Sequence, residues 1–330
     1  MELYSKWGCD GSQQDKFKQK FKNSGDSDSN IFLSSFVPLR LFVNNENKSK
    51  LVWQNPTPSS PRFCRPIRGR FIRETNETTV EEMSHVEKQI SQLLKSKYYA
   101  SNGHLIQIKH TLQPTMVDAK VCNAECNTSS TMRCYICGAT SKTFNDLKIS
   151  NENPDTFRFG LSTLHARIRF FELILHLSYK LPLQKWQARL DEEKGIVAER
   201  KKQIQTEMKT KLGLLVDVPK AGCGNTNDGN TARRFFEEVD AVAEITGVDK
   251  ELIHRFKIII EVITCGHSID TDKFSRYAMD TARRYTSLYL WHPMTPTVHK
   301  ILVHGKSVIE HALLPIGLLS EEASGHVINI

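Results

Sequence analysis

Apolar and polar residues change period along this chain. In the first third they come in short β-rich runs. Residues 1–10 read as a first strand ending at Asp10, residues 31–43 (IFLSSFVPLRLFV) as a second, Leu51–Trp53 as a third and residues 63–73 as a fourth. Polar residues 11–30 separate the first two, with Lys16, Lys18, Lys20 and Lys22 on alternate positions before a Ser/Asp/Asn stretch. Asn44–Lys50 reads as a turn, and Pro56, Pro58 and Pro61 mark a loop. From Thr78 to about Lys97 the period becomes helical, with Val80, Met83, Val86, Ile90 and Leu93 or Leu94 at three- and four-residue steps. Leu105–Ile108 and Met116–Val121 return to short strands. From Leu164 onward the chain reads as mainly helical. Leu183–Leu212 is long and highly charged, with Trp186, Leu190, Ile204 and Met208; a Gly/Asn loop occupies Gly222–Asn230. Thr231–Ile245, Lys250–Ile263 and Val298–Leu314 follow as helices, the last stopping before Pro315. Strands followed by helices predict an α+β fold, a strand core carrying a helical insertion. No internal repeat interrupts this order.

The chain has 330 residues, enough for one large domain or two moderate ones with real cores. It has no apolar run long enough to span a bilayer, and MELYSKWGCDGS lacks the apolar segment of a secretory signal. The first residues run straight into a strand, as in a chain that begins inside a longer protein. The expected localisation is nuclear or intracellular. A net charge of +8 favours a polyanionic partner, because cations that neutralise phosphates release condensed counterions. The eight cysteines are Cys9, Cys64, Cys122, Cys126, Cys134, Cys137, Cys223 and Cys265. In an intracellular chain they read as thiols or metal ligands rather than as a disulfide framework.

Cys134-Tyr135-Ile136-Cys137 is a C-x-x-C segment, a spacing at which two thiolates grip one tetrahedral zinc. His299 and His304, in HKILVH, form a histidine pair of zinc half-site spacing. Joined, the two halves make a Cys2His2 site. Cys122 and Cys126 with Cys134 and Cys137 make a local four-cysteine alternative. Either pair also reads as ordinary thiols or imidazoles packed without a metal. Among the acids, Asp10 ends the first strand in WGCDGS, where a turn before Gly11 is the plainer reading. Glu321 and Glu322, in LSEEASGH, read by themselves as the first turn of a capped helix.

Several segments together resemble one family, the Transib-type transposases and the V(D)J recombinase catalytic subunit. They are Cys9-Asp10-Gly11, Cys134 with Tyr135–Thr140, Lys185–Ala188, Gly229–Arg234, His299–His304, and Ile316-Gly317 with Ser320–Glu322. They appear in the family's order and cover nearly the whole chain. The resemblance implies a ribonuclease-H-like recombinase core interrupted by a mainly helical, zinc-binding insertion. On that reading residues 1–118 are the first part of the core, 119–305 the insertion and 306–330 the start of a C-terminal catalytic helix. It implies structural zinc on Cys134, Cys137, His299 and His304. Mg or Mn would sit on a catalytic acid set with Asp10 first and Glu322, then Glu321, last. Two such ions about 3.5–4 Å apart activate the nucleophile and stabilise the leaving oxygen in phosphodiester cleavage. The implied activity is nicking of double-stranded DNA and transesterification by the freed 3′ hydroxyl, and family members work as dimers.

The resemblance implies a second catalytic aspartate near Phe71. There the chain reads Phe71-Ile72-Arg73-Glu74, with Arg73 where the acid is expected. This predicts a DNA-binding protein whose catalysis is impaired. The alternatives are an active nuclease using Glu74 and a non-enzymatic zinc-braced interaction scaffold. The residues after Glu322 depart from the family's charged continuation, as in a truncated transposon derivative without its DNA end-recognition domain. Arg65, Arg68, Arg70 and Arg73 on one strand-like stretch, with Arg167, Arg169, Arg200, Lys201, Lys202, Arg233, Arg234, Arg283 and Arg284 on helices, are candidate phosphate contacts. The strongest candidates for DNA binding are Arg68, Arg70, Arg233 and Arg234.

Overall fold

Strand β1 (Glu2–Gln13) runs through the middle of a six-stranded mixed sheet. The computed structural model describes residues 1–13, 29–45, 48–128, 130–147, 151–220 and 224–320. On one side β1 pairs antiparallel with β2 (Asn30–Asn45). The far edge of β2 carries both β3 (Lys48–Gln54) and β4 (Arg65–Arg70), each antiparallel to it. On its other side β1 pairs in parallel with β6 (Leu105–Gln113), whose hairpin partner β5 (Ser96–Tyr99) is outermost. The expected α+β class is present, with the helical half of the chain following the sheet.

A parallel neighbour needs a crossover, and α1 (Asn76–Ser91) lies within it. Thr75 and Thr78 close a reciprocal cap at its start. Its buried Glu82 accepts a hydrogen bond from Ser34 Oγ at 2.6 Å. Ser34 is the register partner of Cys9, so α1 covers the Trp7/Cys9 face of β1. Lys6, Gly8 and Asp10 point to the opposite face. There Lys6 is fully buried and donates to the carbonyls of Leu318 (3.1 Å) and Ser320 (2.5 Å). The first strand is thereby tied to the last described turn.

Three expectations move. The helix expected to run to Lys97 stops at Ser91. Leu93 and Leu94 continue its apolar period but are exposed, and the tyrosine-bearing Ser96–Tyr99 pairs with Leu105–Ile108 instead. The strand expected at Met116–Val121 is a buried loop followed by α2 (Ala119–Glu125). Asp118 caps that helix, accepting from the amides of Lys120 and Val121. The fourth strand ends at Arg70, so residues 71–74 are not strand. Gly8 is required where the loop meets β1, since a Cβ there would stand 1.8 Å from the Met116 carbonyl oxygen.

The remaining helices are α3 (Thr163–Lys180), α4 (Asp191–Leu212), α5 (Gly229–Glu237), α6 (Val239–Thr246), α7 (Lys250–Thr264), α8 (Thr271–Tyr289) and α9 (Pro296–His311). Helix α3 is their hub. Phe170 stacks edge-on against Phe256 of α7, and Phe171 against Phe235 of α5. Helix α8 escapes the sequence pattern because its buried stripe is Phe274, Ala278, Ala282, Tyr285 and Tyr289, small or half-polar residues in a charged stretch. Among the described residues no helix is long and apolar enough to cross a membrane.

Candidate metal centre and acidic cluster

The Cys134–Cys137 segment forms a tight turn. The Gly138 amide donates to the Cys134 carbonyl at 2.7 Å and the Cys134 amide to the Ala139 carbonyl at 2.9 Å, with Gly138 at φ +74. This left-handed backbone favours glycine. The turn faces α9, which is capped by Thr295, opened by Pro296 and buried along Val298–Gly305. One ligand atom from each of Cys134, Cys137, His299 and His304 lies within 4.8 Å of the others. The four residues are positioned to hold a metal ion.

The surroundings fit that role. His299 Nδ1 donates to the Phe144 carbonyl at 3.1 Å, which turns its Nε2 to Cys137 Sγ at 3.5 Å. His304 Nδ1 is 2.6 Å from Glu152 Oε1, whose other oxygen accepts from Ser307. Among the described residues His304 Nε2 is buried without a hydrogen-bond partner. A buried nitrogen with a free lone pair is costly unless an ion takes it. A carboxylate or carbonyl behind each imidazole is how metal-binding histidines are oriented. The neighbouring Cys134 thiol, then the two imidazoles, hold the Cys137 thiol well below its ordinary range. Cys122 and Cys126 are outside this group. Cys122 is buried against Tyr135, whose hydroxyl accepts from Lys300 at 2.8 Å, so the local four-cysteine alternative is set aside.

A second cluster forms where β1 and the loop after β6 run side by side. Asp10 lies on the face of β1 away from α1. Burial, then the charges of Asp118 and Glu74, lift its carboxyl to about 7; the Gly11 amide and His165 of α3 pull the other way. Glu74 packs on the backbone of Gly11, where a Cβ would meet its side chain at 2.6 Å. Lys120 Nζ donates to Glu74 Oε2 at 3.1 Å. Lys120 is paired with Glu74, and the charges of Asp118 and Asp10 also act on it. Their oxygens have not closed to one-ion spacing, since among the described residues only the Cys2His2 group gathers its ligand atoms that tightly.

No protein-family model and no curated protein matches this chain.

The predicted acids are thus divided. Asp10 and Glu74 share one cluster, while Glu321 and Glu322 lie outside the described residues. Asp118, which the sequence reading did not single out, belongs to this cluster. The sought second aspartate was placed at Arg73, beyond β4, but β4 is separated from β1 by β2; the neighbour of β1 is β6, and Asp118 follows it. The available signal was Val117-Asp118-Ala119, sixteen residues before Cys134, hidden by a strand assigned across it. Glu74 lies in the loop before α1 rather than on a strand.

The candidate DNA contacts are mostly committed elsewhere. Arg68 pairs with Glu82 at 3.3 Å and Arg70 with Glu81 at 3.1 Å. Arg234 donates to the Leu212 carbonyl at 2.9 Å, while Arg233 is exposed. Arg284 makes a two-pronged pair with Asp249.

Proposed function

We propose that this protein is a zinc-braced, metal-dependent DNA-cutting domain of the transposase type, with Asp10 and Asp118 as its first two catalytic acids. The observation that carries the reading is that pair. Asp10 and Asp118 lie at the same end of neighbouring segments, beyond the parallel β1–β6 pairing, and burial, then the charges of Asp118 and Glu74, raise Asp10 to about 7. The strand order β3-β2-β1-β6-β5, with α1 in the crossover, supports a ribonuclease-H-like core. The expectation of impaired catalysis rested on Arg73; on the present reading Asp118 would supply the second acid instead.

The donor set suits a divalent cation such as Mg or Mn, since carboxylate oxygen is its preferred ligand. Such an ion supplies charge neutralisation at the attacking and leaving oxygens of a phosphodiester. Asp10 and Asp118 would hold it. Glu74, now tied to Lys120, is the third acid within reach. His165 leans its positive potential toward Asp10. The Cys2His2 centre is proposed to hold zinc, the usual ion for two thiolates and two imidazoles. With four protein ligands it leaves no open position, so its role is to fasten α9 to the Cys134–Cys137 turn. The substrate is proposed to be double-stranded DNA, nicked and then joined through the freed 3′ hydroxyl.

The test is a Mg- or Mn-dependent nicking assay on duplex DNA. Wild type should nick, and Asp10→Asn and Asp118→Asn should each lose activity about a hundredfold or more, several kcal/mol of lost metal stabilisation. Nicking that survives Asp118→Asn unchanged would remove the assignment. A zinc-loaded, folded protein that never nicks would leave the scaffold reading instead.

A further inference from the structure

From Lys88 to Val117 the chain contains no aspartate or glutamate, yet it carries Lys88, Lys95, Lys97 and Lys109 with His104 and His110. This is the hairpin of β5 and β6. Its outer half is a two-stranded ribbon. Ser96–Tyr99 pairs with Leu105–Ile108, whereas β1 pairs with β6 over Lys109–Gln113. Every residue of β5 is exposed, Tyr98 by 61% and Tyr99 by 68%, and Leu94 before it by 85%. Strand alternation puts Tyr98 on one face and Lys97 with Tyr99 on the other. A two-stranded ribbon whose outer strand is wholly exposed is marginal in water, so large exposed rings on it point to an outside partner.

Charge selects the partner. Among the described residues Lys88, Lys95 and Lys97 have no ion-pair partner, while Lys109 at the ribbon's base is held by Glu2 at 3.2 Å. Arg68 and Arg70 of β4 are instead paired with Glu82 and Glu81 of α1. A free cationic ribbon suits duplex DNA in particular, since the major groove is wide enough to admit a two-stranded β-ribbon. Lysines at its edge can reach phosphates, which position a protein without reading sequence.

We propose that the β5–β6 ribbon is a duplex-DNA-binding arm, with Lys95 and Lys97 on phosphates and Tyr98 and Tyr99 against the groove wall. It rests on the reading of the protein as DNA-acting but not on the acid cluster. The test is fluorescence anisotropy of the zinc-loaded full chain with a random-sequence duplex across a salt series. Circular dichroism checks that each variant is folded. Lys95→Gln with Lys97→Gln should weaken binding at least tenfold near physiological salt. It should also flatten the slope of log affinity against log salt by about 0.9 for each lysine removed. Tyr98→Ala with Tyr99→Ala should weaken binding and leave the slope unchanged.

Wild-type affinity in both double variants overturns the arm, as does a wild type that binds no duplex. Equal displacement by polyglutamate also overturns it, in favour of an acidic protein partner. Asp10→Asn keeps the two proposals apart, because it should abolish nicking and leave ribbon-dependent binding intact. Ribbon-dependent binding without nicking in wild type would sink the active-site reading alone.

Discussion

The Cys2His2 centre and the acidic cluster are both candidate ion sites, and they differ in nearly every physical respect. The first is closed: four donors within 4.8 Å, imidazoles locked from behind by Phe144 and Glu152, one buried nitrogen without a partner. The second is open: acids from β1, the loop before α1 and a helix cap, with one lysine paired to Glu74. A site that fastens a fold needs all its ligands in place. A site that exchanges substrate and ions needs unspent charge. The contrast assigns structure to the first and chemistry to the second.

The largest effect should come from the closed centre. Chelating its ion, or Cys134→Ser, should cost on the order of 10 kcal/mol of folding free energy. Calorimetry should show α9 and the turn it meets no longer melting cooperatively with the rest. If Cys134→Ser melts like wild type, the centre is not a structural brace.

Next in size is the strand contact that brings the acids together. Gly8→Ala would drive a methyl into the Met116 carbonyl, and it should destabilise by about 1–3 kcal/mol or more. Divalent-ion affinity should fall with it, because Asp118 follows that loop. A neutral result in denaturant titration would contradict the close approach of the two segments.

How much of this was legible in the sequence follows the same division. The Cys2His2 set was readable because each half is a local spacing, C-x-x-C or a histidine pair, and only their union is long-range. Asp118 was not, because its meaning depends on which strand lies beside β1. Sequence order suggested the strand before Glu74, whereas the sheet puts β4 beyond β2 and brings in β6 from the far side of α1. Local preference misled at Met116–Val121, where apolar residues resemble a strand but Asp118 caps a helix. Long helices with dense apolar stripes, such as α7, were visible, and the alanine-lined stripe of α8 was not.

A smaller effect sharpens the closed side. Glu152→Ala removes the carboxylate behind His304 and should weaken zinc about 10–100-fold in competition with a chromophoric chelator, without unfolding the zinc-saturated protein. A pH effect sharpens the open side. Asp10 is lifted to about 7 when folded, against about 3.9 in an unfolded chain. Between those values the folded state holds a proton that the unfolded state has lost. The Asp10 contribution to the stability of the metal-free protein should therefore be full below about pH 4 and fall as pH rises toward 7. Asp10→Asn should flatten that slope. A metal-free protein whose stability rises over that interval through Asp10 would contradict the crowding of charge.

The central claim is that Asp10 and Asp118 jointly hold a divalent ion at a site separate from the zinc. Mn titration of the zinc-loaded chain, followed by electron paramagnetic resonance, tests it most directly. Wild type should bind Mn, and Asp10→Asn and Asp118→Asn should each abolish that binding while the zinc content stays the same. Mn binding indifferent to Asp118, or lost together with the zinc, would contradict it.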